Sequence, residues 1–489
     1  MMKRITRKTT AIILAVLCVC ALFFTGCKED GPVTLRIVTE AINTSTVGWA
    51  NLRLEQQLSK TILAYKESHE NVKFVIEKIP YEGSERTNVL ERLRAELMSG
   101  KGPDILLLPG NCLMLGRQGE LKESLILDVN QAMRNGLFAD ISEYYDADTE
   151  LGKESLNTTV MDAGVVDGAR YVLPLRYDFP VAYVSTERFE KTGLSRDIFG
   201  GSILDFMNTA IEAEDQTAIS MFFNSNEQIF ENLLPRAVDY DGQQVLLTKE
   251  QLSGFCDTYF KYFEKCFRNE DTSEQSNPGR TDLVQVSENG GPFHYTSWLY
   301  SEHWMGIEPL DRAIRVKALG QFAGVDVEMY PIRAADGKLT ADVTYYGAVS
   351  AGCENMDEAY DFLRQMLLED FQWEQSTDAD SCYVEFGAPG WPVRTKGSVN
   401  PLATGLRNQM YFTREYFPLK NALYDITDQD LPILNAQIDE VCFPISWHAN
   451  VQDETVWMYW QDRNGKATAN ADALAEQQLK NLEWHLAES

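Results

Sequence analysis

The chain has 489 residues, with 44 Lys and Arg against 73 Asp and Glu, a net charge of −29 and an aromatic content of 11%. Nucleic-acid affinity rests on cations that neutralise phosphates, so so acidic a surface argues against a nucleic-acid partner. The length exceeds what one hydrophobic core fills and predicts at least two lobes, each able to bury an interior without disulfides.

At the N-terminus Lys3, Arg4, Arg7 and Lys8 precede an apolar run of 14 residues, Ala11 to Phe24, and then Thr25, Gly26 and Cys27. That order is a secretion signal. The run is shorter than the ~20 residues a helix needs to span a bilayer, and polar sequence begins directly after Cys27. Phe24-Thr25-Gly26-Cys27 resembles the bacterial lipobox, which implies removal of residues 1–26 and a diacylglycerol on Cys27. The alternative is cleavage at an ordinary small-residue site, with Cys27 a plain thiol. Cleavage removes four cations and no anion, taking −29 to −33. No run of spanning length follows Phe24, so a lipid on Cys27 is the expected membrane anchor, at the extracytoplasmic face.

Val33 to Thr39 alternates as a strand does, and Leu54, Leu58, Ile62 and Tyr65 then mark one face of a helix. Val72 to Ile76 is a second strand. Leu90, Leu93, Leu97 and Met98 mark a second helix closed by Gly100, and Ile105 to Leu108 is a continuous apolar strand. Strand, helix, strand, helix, strand predicts a parallel sheet, and the apolar run predicts helices over both of its faces. Asp146 to Glu150 is polar and looped. Ala169 to Leu175 and Val181 to Val184 read as strands separated by Tyr177-Asp178-Phe179-Pro180, and helical patterns cover Ile203 to Ile211 and Leu252 to Phe267. Asn269 to Gly279 has loop composition. Ala473 to Leu486 is a charged helix with Leu474, Gln478 and Leu482 in register. Six cysteines follow Cys27, with no CxxC and no closely spaced His partner. Cys256 and Cys266, ten residues apart on one helix, sit ~15 Å apart and cannot pair.

Several segments together resemble the family 1 extracellular solute-binding proteins, the branch with the maltodextrin and other sugar-binding proteins of ABC importers. Gly100-Lys-Gly-Pro-Asp104 before an apolar strand is similar to that family's helix-to-strand junction. Tyr171 to Leu175 through Tyr183 is similar to a first interlobe crossing, Tyr346 to Gly352 with Glu358 to Leu363 to a second, and Gly390 to Arg394 to a third. The resemblance covers nearly the whole mature chain. It implies an α/β, two-lobed periplasmic-binding-protein-like fold of type II, with mixed sheets flanked by helices and three hinge crossings. The domains it implies are discontinuous: 1–26 signal peptide, 27–176 tether and first part of the N-lobe, 177–342 first part of the C-lobe, 343–388 return to the N-lobe, and 389–489 return to the C-lobe. Its implied partners are a small solute, a sugar by family weight, and the transmembrane subunits of an ABC permease. The protein is expected to be monomeric.

Sugar recognition needs flat apolar faces for pyranose rings and planar polar groups for hydroxyls. Phe293, Tyr295 and Trp298, in the turn-bounded segment Gly291 to Trp298, are the first stacking candidates, against a role in the second lobe's core. Asn111 follows the buried strand, where open α/β sheets place ligands beyond strand carboxyl ends. Asp178 is implied to face ligand hydroxyls, against a turn residue bonding its own backbone before Pro180. Tyr177, Tyr346 and Trp391 lie at the implied crossings, as ligand contacts or hinge packing, and Trp447 lies in a loop of the second lobe. The five histidines form no HxxxH, HExxH or Cys/His cluster, and Asp146, Asp148 and Glu150 mimic a calcium loop only until Leu151 replaces its Gly and Asn157 its Glu. GxSxG, GxGxxG and Walker sequences are missing, so neither cofactor nor catalysis has motif support. The rivals are a peptide, polyamine or other polar-solute binder, a module reporting to a membrane sensor, and a secreted glycosidase, for which 73 acidic residues make chance carboxylate pairs easy.

Overall fold

The structure is a computed structural model that describes residues 32–40, 49–80, 84–110, 113–115, 121–212, 221–223, 232–268, 304–310, 313–314, 316–317, 320, 324–373, 390–394, 431–434, 436–444 and 470–487. In chain order the main elements are β1 (Val33–Glu40), α1 (Trp49–Ser68), β2 (Val72–Ile79), α2 (Ser84–Met98) and β3 (Ile105–Pro109), then β4 (Val172–Asp178), β5 (Pro180–Ser185), α3 (Ile203–Glu212) and β6 (Met221–Phe223). They continue with α4 (Lys249–Arg268), β7 (Met305–Pro309), β8 (Val327–Pro331), β9 (Thr340–Val349), α5 (Met356–Arg364), β10 (Trp391–Pro392), β11 (Glu440–Cys442) and α6 (Ala471–Ala487).

Two mixed sheets carry the architecture. The first has the order β10-β4-β9-β3-β1-β2, with β11 also paired to β9. Within it β1 runs parallel to β2 and β3, while β9 is antiparallel to both β3 and β4. The second has the order β6-β7-β5-β8. The continuous apolar run of β3 has the predicted consequence: Ile105 and Leu107 enter one core cluster and Leu106 and Leu108 another, because successive side chains leave a strand on opposite faces. On α1, Leu54, Leu58 and Tyr65 are buried at the predicted spacing, with Ile62 packed beside them. On α2 the predicted face ends one residue early: Leu97 is buried, whereas Met98 is 85% exposed, because the helix stops there and Gly100 turns the chain back with φ +68°.

A third cluster fills the second lobe, where Ala182 and Val184 of β5 meet α3, α4, Trp304 and α6. Leu474, Gln478 and Leu482 of α6 are almost fully buried, in the register read from the sequence. The other face of β5, Val181 and Tyr183, joins the first lobe's cluster, so one apolar layer runs under both sheets. The chain passes from the first sheet to the second through a single residue, Phe179, between β4 and β5. It returns between β8 and β9, ahead of the Tyr346 to Gly352 stretch that the resemblance had marked. In the 389–489 segment, β10 and β11 hydrogen-bond to the first sheet, and α6 packs on the second lobe.

Candidate functional site

The first crossing builds a narrow recess whose accessible lining is mostly apolar, with polar side chains buried in its wall. Every residue from Val172 to Asp178 and from Pro180 to Ser185 is buried, which fixes the two strands at the centre of the molecule. Pro180 stands opposite Pro309 where the β5–β7 ladder ends. Neither has an N–H to donate, so the ladder stops there and the sheets part. The gap is lined by Asp178, Phe179, Pro180, Asn232, Pro309, Asp342 and Thr344. It encloses about 250 Å³ of empty space counted with the open solvent around it, with room for about one water-sized group.

Register places two carboxylates together. Asp342 of β9 is the cross-strand partner of Asp178 of β4, and such partners project from the same face of a sheet. Both are buried, at 3% and 7% exposure. Asp342 accepts at Oδ1 from the Cys442 thiol at 3.1 Å, while its Oδ2 and the Oδ1 of Asn232 are buried without a hydrogen-bond donor. Burial pushes the Asp342 carboxyl up to about 7, an effect only partly offset by bonds from Cys442 and Asn232. The backbone closes tightly here. A Cβ at Gly110 would lie 1.6 Å from the Val343 carbonyl oxygen, and one at Gly390, at φ +99°, would lie 2.2 Å from Thr344 Oγ1, so only glycine admits β3's end and the start of β10.

A second polar group joins the lobes at one side. Asp128 caps the short helix Val129–Arg134 of the first lobe by accepting from the Gln131 N–H at 3.0 Å. Its other oxygen accepts from Tyr240 Oη at 2.6 Å and lies 2.7 Å from His485 Nε2, both from the second lobe's layer. Arg134 pairs with Asp241 at 2.5 Å. This helix begins beside the carboxyl end of β1, where Leu125 N–H donates to Glu40 at 3.2 Å, so the network stands at the recess side of the first sheet.

Of the residues singled out from sequence, the structure brings Asp178 to the recess and Tyr177 and Trp391 directly behind it. Tyr177 is the cross-strand partner of Trp391, and its ring stacks on Phe179 with centroids 6.4 Å apart. Burial holds the Tyr177 hydroxyl well above its usual range, relieved by Asn157 and raised further by Asp178. Tyr346 is fully buried in the first lobe, its ring edge-on to Phe138 and Phe443. Asn111, Phe293, Tyr295, Trp298, Trp447 and Cys27 lie outside the described residues. Sequence reasoning missed Asp342 and Asn232; the only signal was an acidic residue inside the apolar strand Thr340–Val349. Among the described residues no group of three His, Cys, Asp or Glu could hold a metal, and no helix is long and apolar enough to cross a membrane.

Two mixed sheets joined by crossing strands above a recess define the type II periplasmic-binding-protein fold, and solved structures show the same arrangement. A family 1 extracellular solute-binding protein from Alicyclobacillus acidocaldarius superposes with a TM-score of 0.51 at 12% identity, over 93% of this chain and 99% of that one. The galacto-N-biose/lacto-N-biose I-binding protein of the Bifidobacterium longum ABC transporter, in complex with lacto-N-biose, gives 0.53 at 12% over 93% and 97%. The sugar-binding protein MalE from Xanthomonas citri gives 0.53 at 12% over 93% and 98%. The chain thus has the fold of the family 1 solute-binding proteins over nearly its full length. No family profile matches the sequence, and no curated protein is similar to it at the sequence level.

Proposed function

We propose that the protein is a non-enzymatic solute-binding lipoprotein of an ABC importer, anchored through Cys27 outside the cell membrane, that captures a carbohydrate between its lobes and hands it to the permease. The observation that carries this reading is the recess at the crossing strands, lined in part by Asp178, Asn232, Asp342 and Thr344, in a fold whose solved neighbours include a lacto-N-biose complex and a sugar-binding MalE. Asp178, Asp342, Asn232 and Thr344 offer planar and hydroxyl groups for solute hydroxyls, with Tyr177 and Trp391 as support. Asn111, Phe293, Tyr295, Trp298 and Trp447 are proposed as further contacts from the surrounding loops. Contacts from both lobes favour the closed form by the difference in affinity between the two states. The lobe segments follow the boundaries given above, except that β9 from Thr340 and β10 and β11 of the 389–489 segment belong to the first sheet.

Thermal unfolding of the mature protein against mono- and oligosaccharides, amino acids, peptides and polyamines tests this reading. A solute at ~100 times its dissociation constant adds about 2.7 kcal/mol of stability. A rise with a saccharide class, recovered intact, is the expected result. Consumption of the saccharide would instead identify an enzyme, and a rise only with peptides would remove the carbohydrate assignment.

A further inference from the structure

The three crossings implied by the family resemblance are not held alike. The third, residues 390–394, is clamped by first-lobe groups along its whole length. Trp391 and Pro392 pair with Tyr177 and Arg176 of β4. The Val393 carbonyl accepts from the Asn157 N–H at 2.8 Å, and Arg394 bridges to Leu156. The Arg394 guanidinium is spread over three carbonyl oxygens of first-lobe turns: Nε donates to Leu367 at 2.6 Å, Nη2 to Leu151, and Nη1 to Gly152 at 3.5 Å. A rigid planar fork reaches several carbonyls in fixed directions, which a lysine ammonium does not. One side chain ties these contacts together. Gln372, from the short helix Glu369–Trp373, is fully buried. Its Nε2 donates to the carbonyl oxygens of Met366 at 2.7 Å and Leu175 at 3.2 Å, and its Oε1 accepts from the Arg394 N–H at 3.4 Å. Its own carbonyl accepts from Arg176 Nη1 at 2.9 Å. Both ends of the amide thus join β4 to the residue that follows β10.

The second crossing is held differently. Between β8 and β9 the chain turns at 334–338, with Gly337 at φ +84°, and its side-chain braces are ion pairs near the surface: Arg333 with Asp439 at 2.9 Å, and Lys338 with Glu440 and Asp336. Such pairs are weak and screened by salt, whereas opening the third crossing would leave buried carbonyls and amide groups without partners. Resting on the lobe motion proposed above, we infer that Gln372 and Arg394 pin the third crossing to the first lobe. Residues 390–394 then move as part of that lobe, and opening and closing turn at the other two crossings, at Phe179 and at 334–338. Tyr177 and Trp391, paired across β4 and β10, form one fixed wall of the solute site, and the second lobe closes toward it. Gln372 is a positioning residue in this arrangement: it acts on the wall through the strands it joins.

Hydrogen–deuterium exchange of the mature protein, followed by mass spectrometry in urea below the unfolding transition, tests the pin without a solute, so its outcome is separate from that of the carbohydrate assignment. Peptides covering 390–394 should exchange together with those of β4, about tenfold or more slowly than peptides covering 333–338. Gln372→Ala should speed exchange at 390–394 by about tenfold or more and leave α6 unchanged, whereas a general loss of stability would speed both alike. Arg394→Lys, which keeps the charge and loses the fork, should act in the same way, and it stands in should Gln372→Ala fail to fold. Exchange at 390–394 as fast as at 333–338 in the parent would overturn the pin and make the third crossing a hinge like the second. Slow exchange there that neither variant changes would overturn the roles given to Gln372 and Arg394.

Discussion

Two carboxylates mark opposite ends of what burial and pairing do to acidity, and each makes the protein's stability depend on pH with its own sign. Asp342 titrates at about 7 in the folded chain against ~3.9 unfolded, so between those values the folded form holds a proton that the unfolded form has released. Stability therefore falls as pH rises through that window and levels off above it. Asp342→Asn removes the loss: its urea midpoint should exceed the parent's at pH 8 and match it near pH 4. Glu328 does the reverse. Arg196 at 2.7 Å, then Tyr330 and Thr186, hold it down to about 2, so its contribution is complete above ~4.5 and disappears as pH falls toward 2. Glu328→Gln should thus narrow the difference in melting temperature between pH 6 and pH 3. Asp178 was legible in the sequence because it stands in a turn-like tetrapeptide between two strands. Asp342 and Asn232 were not, because a lone acid in Thr340–Val349 gains meaning only from the register that sets it opposite Asp178.

At the scale of elements, α6 ties the chain's end to the second lobe. Leu474 and Leu482 are completely buried against the cluster that holds Phe255 and Tyr259 of α4, while Trp484 is 68% exposed. Leu482→Ala should cost about 2–5 kcal/mol in equilibrium urea unfolding, and Trp484→Ala no more than about 0.5 kcal/mol. Equal losses would mean that the helix does not pack on this face. The elements easiest to read from sequence were those whose burial is periodic. β1 through β3 with α1 and α2 alternate or repeat at the spacing of their geometry, and α6 shows its Leu474, Gln478, Leu482 stripe outright. The crossing strands were harder to delimit. β4 and β5 are buried on both faces and separated by one residue, so the tetrapeptide Tyr177 to Pro180 that reads as a separator is strand everywhere but at Phe179, and β9 enters the first sheet at Thr340, six residues ahead of Tyr346. Met98 shows the same limit at a helix end, where spacing continues one residue beyond the burial.

Across the whole molecule, two lobes with separate outer clusters share one apolar layer under the crossing strands, which leaves the polar network of Asp128, Tyr240 and His485 as a bond between their other parts. A buried charge-assisted hydrogen bond contributes about 1.5–3 kcal/mol, an amount able to bias an equilibrium between open and closed lobes. Tyr240→Phe with His485→Ala should therefore enlarge the radius of gyration of the unliganded protein and weaken solute binding, whereas a network of purely local importance would change neither. The two-lobed arrangement itself was legible, because a length this great, a parallel-sheet pattern and several short motifs in order all point the same way. The solute was not, because specificity rests on a few side chains brought together from distant segments. Small-angle X-ray scattering of the protein with and without a solute found by thermal unfolding tests capture between lobes most directly. Capture requires a smaller radius of gyration when the solute is bound at full occupancy; an unchanged radius at full occupancy would contradict it.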